Sequence, residues 1–364
     1  MKNNAFAENL FRLRVSHNFT QTEIAKKLDI TRPNYINLEK GESNPKDSTV
    51  QRVAKLYGLK PESLFSEKKK YSSLRFRLKS LKTSRQKNQR DSTIQIFSNE
   101  LDAYIELENI LVKNIQFNYA DKKFSSPKQA ALKVRSDFGL DEYEPILDIC
   151  DLLQKVGIRL ILLSSPLKEF FGLSVKLSEN NLAIGINRDD SISIERKIFT
   201  IAHELGHILL HSDSFQPEEQ IEKEKEEREA DEFASYFLLP EKGFWNEWNK
   251  RQGLSFVQKV LQIKRIYKVS YKTILLRLDS YYKKSKAFNP YMIFNKSYKK
   301  GISSKEEPEG LTEYDFAEEN FPAMVREAFL KEEVSFARAC ELLKISTSEM
   351  RELANSWYAE EKAQ

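Results

Sequence analysis

The most informative stretch of this chain is Ile198-Phe-Thr-Ile-Ala-His-Glu-Leu-Gly-His-Ile-Leu-Leu-His211. It predicts a helix with apolar residues on most sides, and such a helix is buried. His203 and His207 are four residues apart, which places both imidazoles on one face, about 6 Å apart along the axis. Buried imidazoles need partners, and one zinc ion accepts both at about 2.0–2.1 Å. Glu204 is offset toward the same ion, where it can reach a bound water molecule.

A catalytic zinc site takes three protein ligands and keeps one position open. His211 is the nearest further histidine, but it lies eight residues from His203, about 12 Å along a straight helix. One zinc ion cannot span that distance. His211 is therefore interpreted as a residue at the end of the helix, or as one that contacts a metal ligand without binding the metal itself.

The third ligand is expected from an acidic helix over Ile221–Leu239. Glu227 and Asp231 are four residues apart and share one helix face. Glu227 is the favoured ligand, and Asp231 is expected to hold the other N–H of a ligand histidine. Glu229 is the competing ligand, although it lies on a different face. The two histidines with either Glu227 or Glu229 therefore form the predicted zinc site.

Length and composition are typical of a soluble multidomain protein. A chain of 364 residues is too long for one small core and suggests two or three domains. No apolar run is long enough to cross a bilayer, and the N-terminus shows no signal-peptide pattern, so no membrane partner is expected. Cys150 and Cys340 lie far apart in apolar helical patterns, which favours free thiols and a cytoplasmic location.

Positive charge is concentrated at the N-terminus. Residues 1–90 contain 21 Lys and Arg against 8 Asp and Glu, whereas the whole chain has a net charge of only +5. This distribution indicates a nucleic-acid partner for the N-terminal quarter. Residues 67–90 alone contain ten Lys and Arg and one Glu. They are interpreted as a tether with a helix around Leu74–Leu81, or as an arm along the DNA backbone.

The N-terminus predicts a helix-turn-helix. Thr20 and Glu23 form a capping box that opens one helix, and Thr31 caps the next helix, with Pro33 in its first turn. The second helix of such a unit enters the major groove of DNA. Arg and Asn make bidentate contacts to guanine and adenine, and the N-terminus of the first helix meets phosphate. The expected DNA-contacting residues are Gln21, Thr31, Arg32, Asn34, Asn37 and Lys40.

The middle of the chain predicts a small sheet beside the buried helix. Helices at about 127–138 and 145–156 precede three strands, Ile158–Leu163, Gly172–Leu177 and Leu182–Asn187. In zinc peptidases, an extended substrate can add to an edge strand by backbone hydrogen bonds. Leu182–Asn187 is either that edge strand or an ordinary internal strand.

Two resemblances to known families rest on these motifs. Gln21-x-x-Ile-Ala-x-x-Leu28 with Leu38-Glu-x-Gly41 resembles the lambda-repressor-like, XRE-type domain. Phe199-Thr-x-Ala-His-Glu-Leu-Gly-His-x-Leu-x-His211 with Glu227-x-x-Ala-Asp-x-Phe-Ala resembles the ImmA/IrrE family of metallo-endopeptidases, over roughly residues 126–280. The second resemblance implies a gluzincin-type site on a compact α+β fold. It also implies regulatory proteolysis, in which some members cleave a transcriptional repressor.

The expected architecture is multidomain: an all-α helix-turn-helix domain, an α+β zincin-like peptidase domain with a small sheet, and an α-helical C-terminal region. The expected bounds are 1–66 for the helix-turn-helix, 67–125 for a basic linker and a long helix, 126–285 for the peptidase and 286–364 for the C-terminal domain. Ser335–Ser346 resembles a second helix-turn-helix. The helix after it is acidic, which favours a structural or dimerisation role over DNA contact.

The expected function is that of a zinc-dependent endopeptidase fused to a DNA-binding domain, with Glu204 as the general base. The expected partners are double-stranded DNA and a protein substrate such as an XRE-type repressor, and homodimer formation is a further interpretation. The alternative is a transcriptional regulator whose metal domain is a sensor or interaction module. An intact Glu204 favours the enzyme, because a purely structural metal site needs no base.

Overall fold

The computed structural model describes residues 4–17, 19–65, 74–76, 83–113, 116–117, 124–178, 180–211, 223–282, 289–298 and 307–363. Helices dominate these ranges, and a small sheet lies in the middle of the chain. The expected fold class is therefore confirmed: an all-α N-terminus, an α+β middle and a helical C-terminus. None of the helices in these ranges combines the length and the apolar character that crossing a membrane requires. The exact domain bounds stay predictions.

The N-terminal domain surrounds a small apolar core with Tyr35 fully buried near its centre. Its helices are α1 (Asn4–Ser16), α2 (Gln21–Lys27), α3 (Arg32–Glu39) and α4 (Asp47–Tyr57), followed by a 3-10 turn over Pro61–Leu64. The Thr20 hydroxyl accepts from Glu23 N at 3.2 Å, and Thr20 N donates to the Glu23 carboxylate at 2.7 Å. The predicted capping box therefore opens α2.

The rest of the described chain contributes helices on both sides of the sheet. They are α5 (Ser84–Ile110), α6 (Pro127–Asp137), α7 (Ile149–Lys155), α8 (Ile194–Leu210), α9 (Glu224–Leu238), α10 (Glu241–Lys250), α11 (Phe256–Tyr267), α12 (Tyr271–Tyr282), α13 (Pro290–Ser297), α14 (Asn320–Leu330), α15 (Phe336–Leu343) and α16 (Thr347–Ala363). The helices α8 and α9 are those predicted to carry the metal ligands. Both segments are helical, as their sequence patterns predicted.

The sheet has four strands in the spatial order β1-β3-β4-β2. They are β1 (Leu74–Phe76), β2 (Ile158–Leu163), β3 (Gly172–Ser178) and β4 (Asn181–Asn187). β2 and β4 are parallel, and the other two pairs are antiparallel. The three strands predicted from the sequence are confirmed to within one residue at each end.

The sheet decides between the two alternatives for Leu182–Asn187 and corrects the predicted helix at residues 74–76. β4 is internal, because β2 returns along one side of it while β3 pairs with the other side. Leu182–Asn187 is thus not the edge strand. Residues 74–76 form a strand rather than part of a helix, because they pair with β3 in the sheet. Such pairing joins residues distant in sequence and has no local signal.

Apolar side chains cover both faces of the sheet, which makes it the middle of three layers. Ile158, Ile184 and Ile186 face the cluster that contains α6 to α13. Ile161 and Leu173 face the opposite cluster, formed with α5 and the C-terminal helices α14 to α16. Strands buried on both faces consist of nearly continuous apolar residues, which explains the composition of β2 and β4.

Buried ion pairs join the layers. Arg159 of β2 donates to both carboxylate oxygens of Glu108 on α5, at 2.8–2.9 Å. Lys264 of α11 lies 2.6 Å from Glu195 in the first turn of α8, and both side chains are almost fully buried. Removing one partner of such a pair leaves a charge in an apolar interior. The start of α8 is therefore held in position from a distant part of the chain.

The helices α8 and α9 pack unusually close at Gly206. A Cβ built at this position would lie 3.0 Å from Cδ1 of Phe233 and 3.3 Å from Cα of Ala230. Real Cβ atoms rarely approach other atoms so closely. Small residues on both helices therefore permit the approach that brings their polar residues together.

We predict that Gly206→Val lowers the free energy of unfolding by about 3 kcal/mol, because overpacking forces α9 away from α8. Gly206→Ala should cost less, since better helix propensity offsets about 1 kcal/mol. Urea unfolding of the full chain measures both effects. Gly253→Val is the matched control, because a Cβ there meets no atom within 4 Å. Equal losses for Gly206→Val and Gly253→Val would contradict the close packing.

Candidate metal centre and DNA-binding surface

The helix α8 places polar side chains in an apolar interior. Ser193 caps its first turn and accepts a hydrogen bond from Arg196 N at 3.3 Å. His203, Glu204 and His207 are each at most 1% exposed, and they lie among the apolar residues of the main core. The apolar pattern of residues 198–210 predicted this burial. Their polar atoms must therefore be satisfied by other protein groups or by a bound ion.

The two imidazoles of α8 converge on one point. Nε2 of His203 lies 2.8 Å from Nε2 of His207, and the ring planes are inclined by 81°. Nδ1 of His203 lies 2.7 Å from the Asp231 carboxylate. An ionised carboxylate only accepts hydrogen bonds, so the proton of a neutral His203 belongs on Nδ1. Its Nε2 is then an acceptor, which suits a metal ligand.

Glu227 completes the group from α9. Its Oε2 lies 3.3 Å from Nε2 of His203, and its Oε1 lies 3.1 Å from Nε2 of His207. Zinc bonds of about 2.0–2.1 Å in a tetrahedron separate neighbouring ligand atoms by about 3.3 Å. The observed spacings of 2.8, 3.1 and 3.3 Å are close to this value. Two imidazoles and a carboxylate at this spacing fit a zinc ion.

The charge state of Glu227 also suits a cation. Burial alone would raise the pKa of its carboxyl group, but the His203 and His207 rings, when they carry a proton on Nε2, donate hydrogen bonds that outweigh this effect and hold the pKa far below its usual range. The side chain is therefore an anion at neutral pH. It brings a negative charge to the two neutral imidazoles, as a carboxylate ligand of zinc does.

A second layer of groups lies behind the histidines. Asp231 contacts His203 directly, whereas His207 is supported through a relay: its Nδ1 lies 3.0 Å from Nδ1 of His211. Nε2 of His211 in turn lies 2.9 Å from the Glu229 carboxylate. If Nε2 of His207 is an acceptor, Nδ1–H of His207 donates to His211 and Nε2–H of His211 donates to Glu229. Both histidines are thus oriented by a carboxylate.

The relay also accounts for two residues that the sequence left open. Glu229, the competing candidate for the third ligand, lies at His211 rather than at the converging Nε2 atoms. His211 contacts His207 from the end of α8, where spacing by four residues makes them neighbours. That spacing was the available signal for this role. The distance from His203 alone does not reveal this contact.

Glu204 is held by a residue that sequence analysis missed. The Ser174 hydroxyl donates to Oε2 of Glu204 at 2.7 Å, and Ser174 is fully buried. Ser174 lies on β3, thirty residues before Glu204, so only the packing of α8 on the sheet brings them together. This hydrogen bond orients the carboxylate of the residue that follows His203.

The N-terminal domain presents its polar residues on α3. Tyr35 and Leu38 are buried, whereas the groove-facing residues predicted from the sequence are exposed: Thr31, Arg32, Asn34, Asn37 and Lys40. Thr31 also caps α3 by accepting a hydrogen bond from Asn34 N at 3.4 Å. One face of α3 therefore builds the core, and the opposite face is available to a partner.

The Gln21 side chain forms a hydrogen bond within the N-terminal domain. Its amide donates to Oε2 of Glu39 at 2.7 Å, and Arg14 donates to the other oxygen of Glu39 at 2.6 Å. These bonds connect α1, α2 and α3 and fix the angle between the two helices of the motif. A phosphate contact of Gln21 stays a prediction, since it requires the amide to exchange one partner for another.

Comparison with known proteins identifies two regions. Residues 10–64 match a helix-turn-helix family, and residues 153–279 match the IrrE N-terminal-like domain of the M78 peptidase family. An uncharacterized HTH-type transcriptional regulator of Methanocaldococcus jannaschii, MJ0272, is 40% identical over 52 residues, which are 14% of this chain and 79% of that protein. The cryptic phage CTXphi transcriptional repressor RstR of Vibrio cholerae is 34% identical over 62 residues, 17% of this chain and 56% of that protein.

Both relatives match a stretch no longer than one small domain, whereas the IrrE-like match covers a separate region that contains α8 and α9. The two expected resemblances are thus confirmed. The chain belongs to the XRE-type helix-turn-helix proteins through its N-terminal domain and carries an ImmA/IrrE-type domain behind it.

Proposed function

We propose that this protein is a zinc-dependent endopeptidase joined to a DNA-binding domain, and that it cuts a regulatory protein. One observation carries the proposal: two buried imidazoles and the Glu227 carboxylate converge within 3.3 Å of one another, and a second carboxylate, that of the buried Glu204, follows His203 directly on α8. Membership of the M78 peptidase family supports the same reading.

The ligands in this proposal are His203, His207 and Glu227. When bound, zinc lowers the pKa of a water molecule and polarises a peptide carbonyl group. Glu204 is the general base: its carboxylate removes the proton of that water and later delivers it to the leaving amine. Ser174 holds one oxygen of Glu204, so the other oxygen is the one that moves the proton. Asp231 keeps the His203 ring in the tautomer that a ligand requires.

The N-terminal domain supplies DNA binding in this proposal. The exposed face of α3 enters the major groove, where Arg32, Asn34 and Asn37 contact base edges. Lys40 and the basic linker contact phosphate, which adds affinity without sequence preference. Thr31 and Gln21 lie at helix N-termini, where backbone N–H groups also favour phosphate.

The proposed substrate is a transcriptional repressor with a similar DNA-binding domain. RstR, one relative of the N-terminal domain, is a phage transcriptional repressor. A peptidase that carries a related domain can occupy the same operator or pair with such a repressor, which raises the local concentration of substrate. Homodimer formation through the same domain is part of this proposal.

The competing function is a transcriptional regulator that senses zinc or another ligand and does not cut protein. It is favoured by the two named relatives, which are both described as transcriptional regulators or repressors. Glu204 separates the two functions, because a sensor needs the three ligands but no proton-transfer group.

The ligand set makes a direct prediction about metal content. The protein should bind about one zinc per chain, and His203→Ala, His207→Ala or Glu227→Ala should abolish this binding, because three ligands are required. Asp231→Ala and Glu229→Ala should weaken affinity by about 10- to 100-fold, as loss of supporting groups does. Elemental analysis and competition with a chelator measure both. Glu224→Ala on the exposed start of α9 is the control. A larger loss in Glu229→Ala than in Glu227→Ala would move the third ligand to Glu229.

The role of Glu204 makes a second prediction. Glu204→Gln should retain zinc but cut an XRE-type repressor of the same cell at least about 100-fold more slowly, because the general base is lost. Ser174→Ala should slow cleavage less, since it only frees one carboxylate oxygen. Timed electrophoresis and mass spectrometry follow the products. If Glu204→Gln cuts as fast as the unmodified protein, Glu204 is not the base. If the zinc-loaded protein cuts no repressor while it binds DNA, the regulator is the better account.

The exposed face of α3 makes a third prediction. Arg32→Ala should cost about 1–3 kcal/mol at a cognate operator and relax its sequence preference. Replacing Lys68–Lys70 by glutamine should instead weaken binding to all DNA alike and reduce the salt dependence. Titrations of the full chain at several salt concentrations distinguish the two effects. If the full chain selects no duplex from a random pool at low salt, the domain is a protein-docking module.

A further inference from the structure

The three-residue strand β1 occupies a position of functional interest. It pairs antiparallel with the outer edge of β3, and the paired residues are Leu74 with Val175, Arg75 with Ser174 and Phe76 with Leu173. In the described sheet, β3 would be an edge strand without it. A sheet edge binds an extended peptide through main-chain hydrogen bonds. The linker therefore lies where an extended peptide would add to this sheet.

This edge is connected to helix α8 of the candidate metal centre through Glu204. β3 packs against α8, and the middle residue of the pairing, Ser174, donates the hydrogen bond that holds Glu204. Arg75 is the register partner of Ser174, so its main chain lies about one strand spacing, 4.8 Å, from that of Ser174. No other peptide among the described residues adds to this edge of β3. The peptide units on either side of Arg75 are thus the linker atoms that the structure brings toward the proposed base.

The strand is tethered on both sides through α5. On the N-terminal side, Gln95 of α5 donates to the carbonyl oxygen of Ser63 at 3.2 Å, and Lys60 lies 3.4 Å from Glu106 of α5. On the C-terminal side, Thr83 is the N-cap residue of α5. A short tether of this kind gives an intramolecular peptide an effective concentration of the order of millimolar. The linker therefore has an advantage over any free protein for this edge.

We propose that the chain's own linker is a substrate of the metal centre, and that hydrolysis of a peptide bond within Leu74–Phe76 separates the DNA-binding domain from the peptidase. This inference rests on the proposed function. The step consumes one water molecule: a C–O bond forms at the carbonyl carbon and the C–N bond breaks. Glu204 carries the proton from water to the nitrogen, so one product ends in a carboxylate and the other begins with an amine. The cut also frees the edge of β3 for a second protein.

The test uses the full chain loaded with one zinc per molecule. Intact-mass spectrometry over time should show two fragments that together weigh 42.6 kDa plus one water, with the new termini within Leu74–Phe76. The rate per molecule should stay constant over an about 100-fold range of protein concentration, because the reaction is intramolecular. Zinc-loaded Glu204→Gln should stay intact.

Variants of β1 test the strand pairing itself. Proline removes the backbone N–H, and alternate residues of a strand direct theirs to the partner, so one of Leu74→Pro and Arg75→Pro must remove a bond to β3. That variant should cleave itself at least about tenfold more slowly than the unmodified chain, because it loses a main-chain hydrogen bond to β3. Arg75→Lys keeps the backbone pairing and should behave like the unmodified chain. Zinc content and DNA binding of each variant show that it is folded.

Denatured casein added to the same reactions distinguishes failure of self-cleavage from failure of the peptidase function. Cleavage of casein with an intact linker would overturn self-cleavage and leave the peptidase standing. If the proline variants then cut casein faster, β1 is a blocking strand and not a substrate. If the zinc-loaded chain cuts neither the linker, nor casein, nor an XRE-type repressor of the same cell, both the peptidase function and this inference fail.

Discussion

The metal centre depends on one contact, the close approach of α8 and α9 at Gly206. The histidines lie on α8 and Glu227 lies on α9, so the three candidate ligand atoms meet because the two helices approach closely at Gly206. A larger residue at position 206 would move Glu227 away by a few tenths of an ångström or more. Bond lengths to zinc vary less than that. Packing between two helices therefore sets the geometry of the site.

The buried imidazoles and Glu204 each have a polar partner, because a buried polar group without one is costly. Asp231 supports His203, while His211 and Glu229 support His207. Ser174 connects Glu204 to β3, and the register of β3 connects the site to the linker. A change in the linker strand can therefore reach the proposed base through a single residue.

Local patterns predicted the elements, and non-local contacts accounted for what was missed. The helix α8, with its pair of neighbouring histidines, and the strands β2, β3 and β4 follow from apolar periodicity and spacing along the chain. The order of the strands does not follow from these patterns. β2 pairs with β4 and not with the next strand in the chain, and β1 comes from a charged linker. The bond from Ser174 to Glu204 arises in the same way. The spacing of four residues between His207 and His211 predicts that the two rings are neighbours. The role of His211 in connecting His207 to a carboxylate became visible only with the position of Glu229.

The central claim is that His203, His207 and Glu227 bind one zinc ion in the interior. A crystal structure of the zinc-loaded full chain, with anomalous diffraction recorded on both sides of the zinc absorption edge, tests it most directly. The account predicts one strong anomalous peak at about 2.0–2.2 Å from Nε2 of both histidines and from a carboxylate oxygen of Glu227. A peak bonded to Glu229 or His211, or no ordered zinc between α8 and α9, would contradict it.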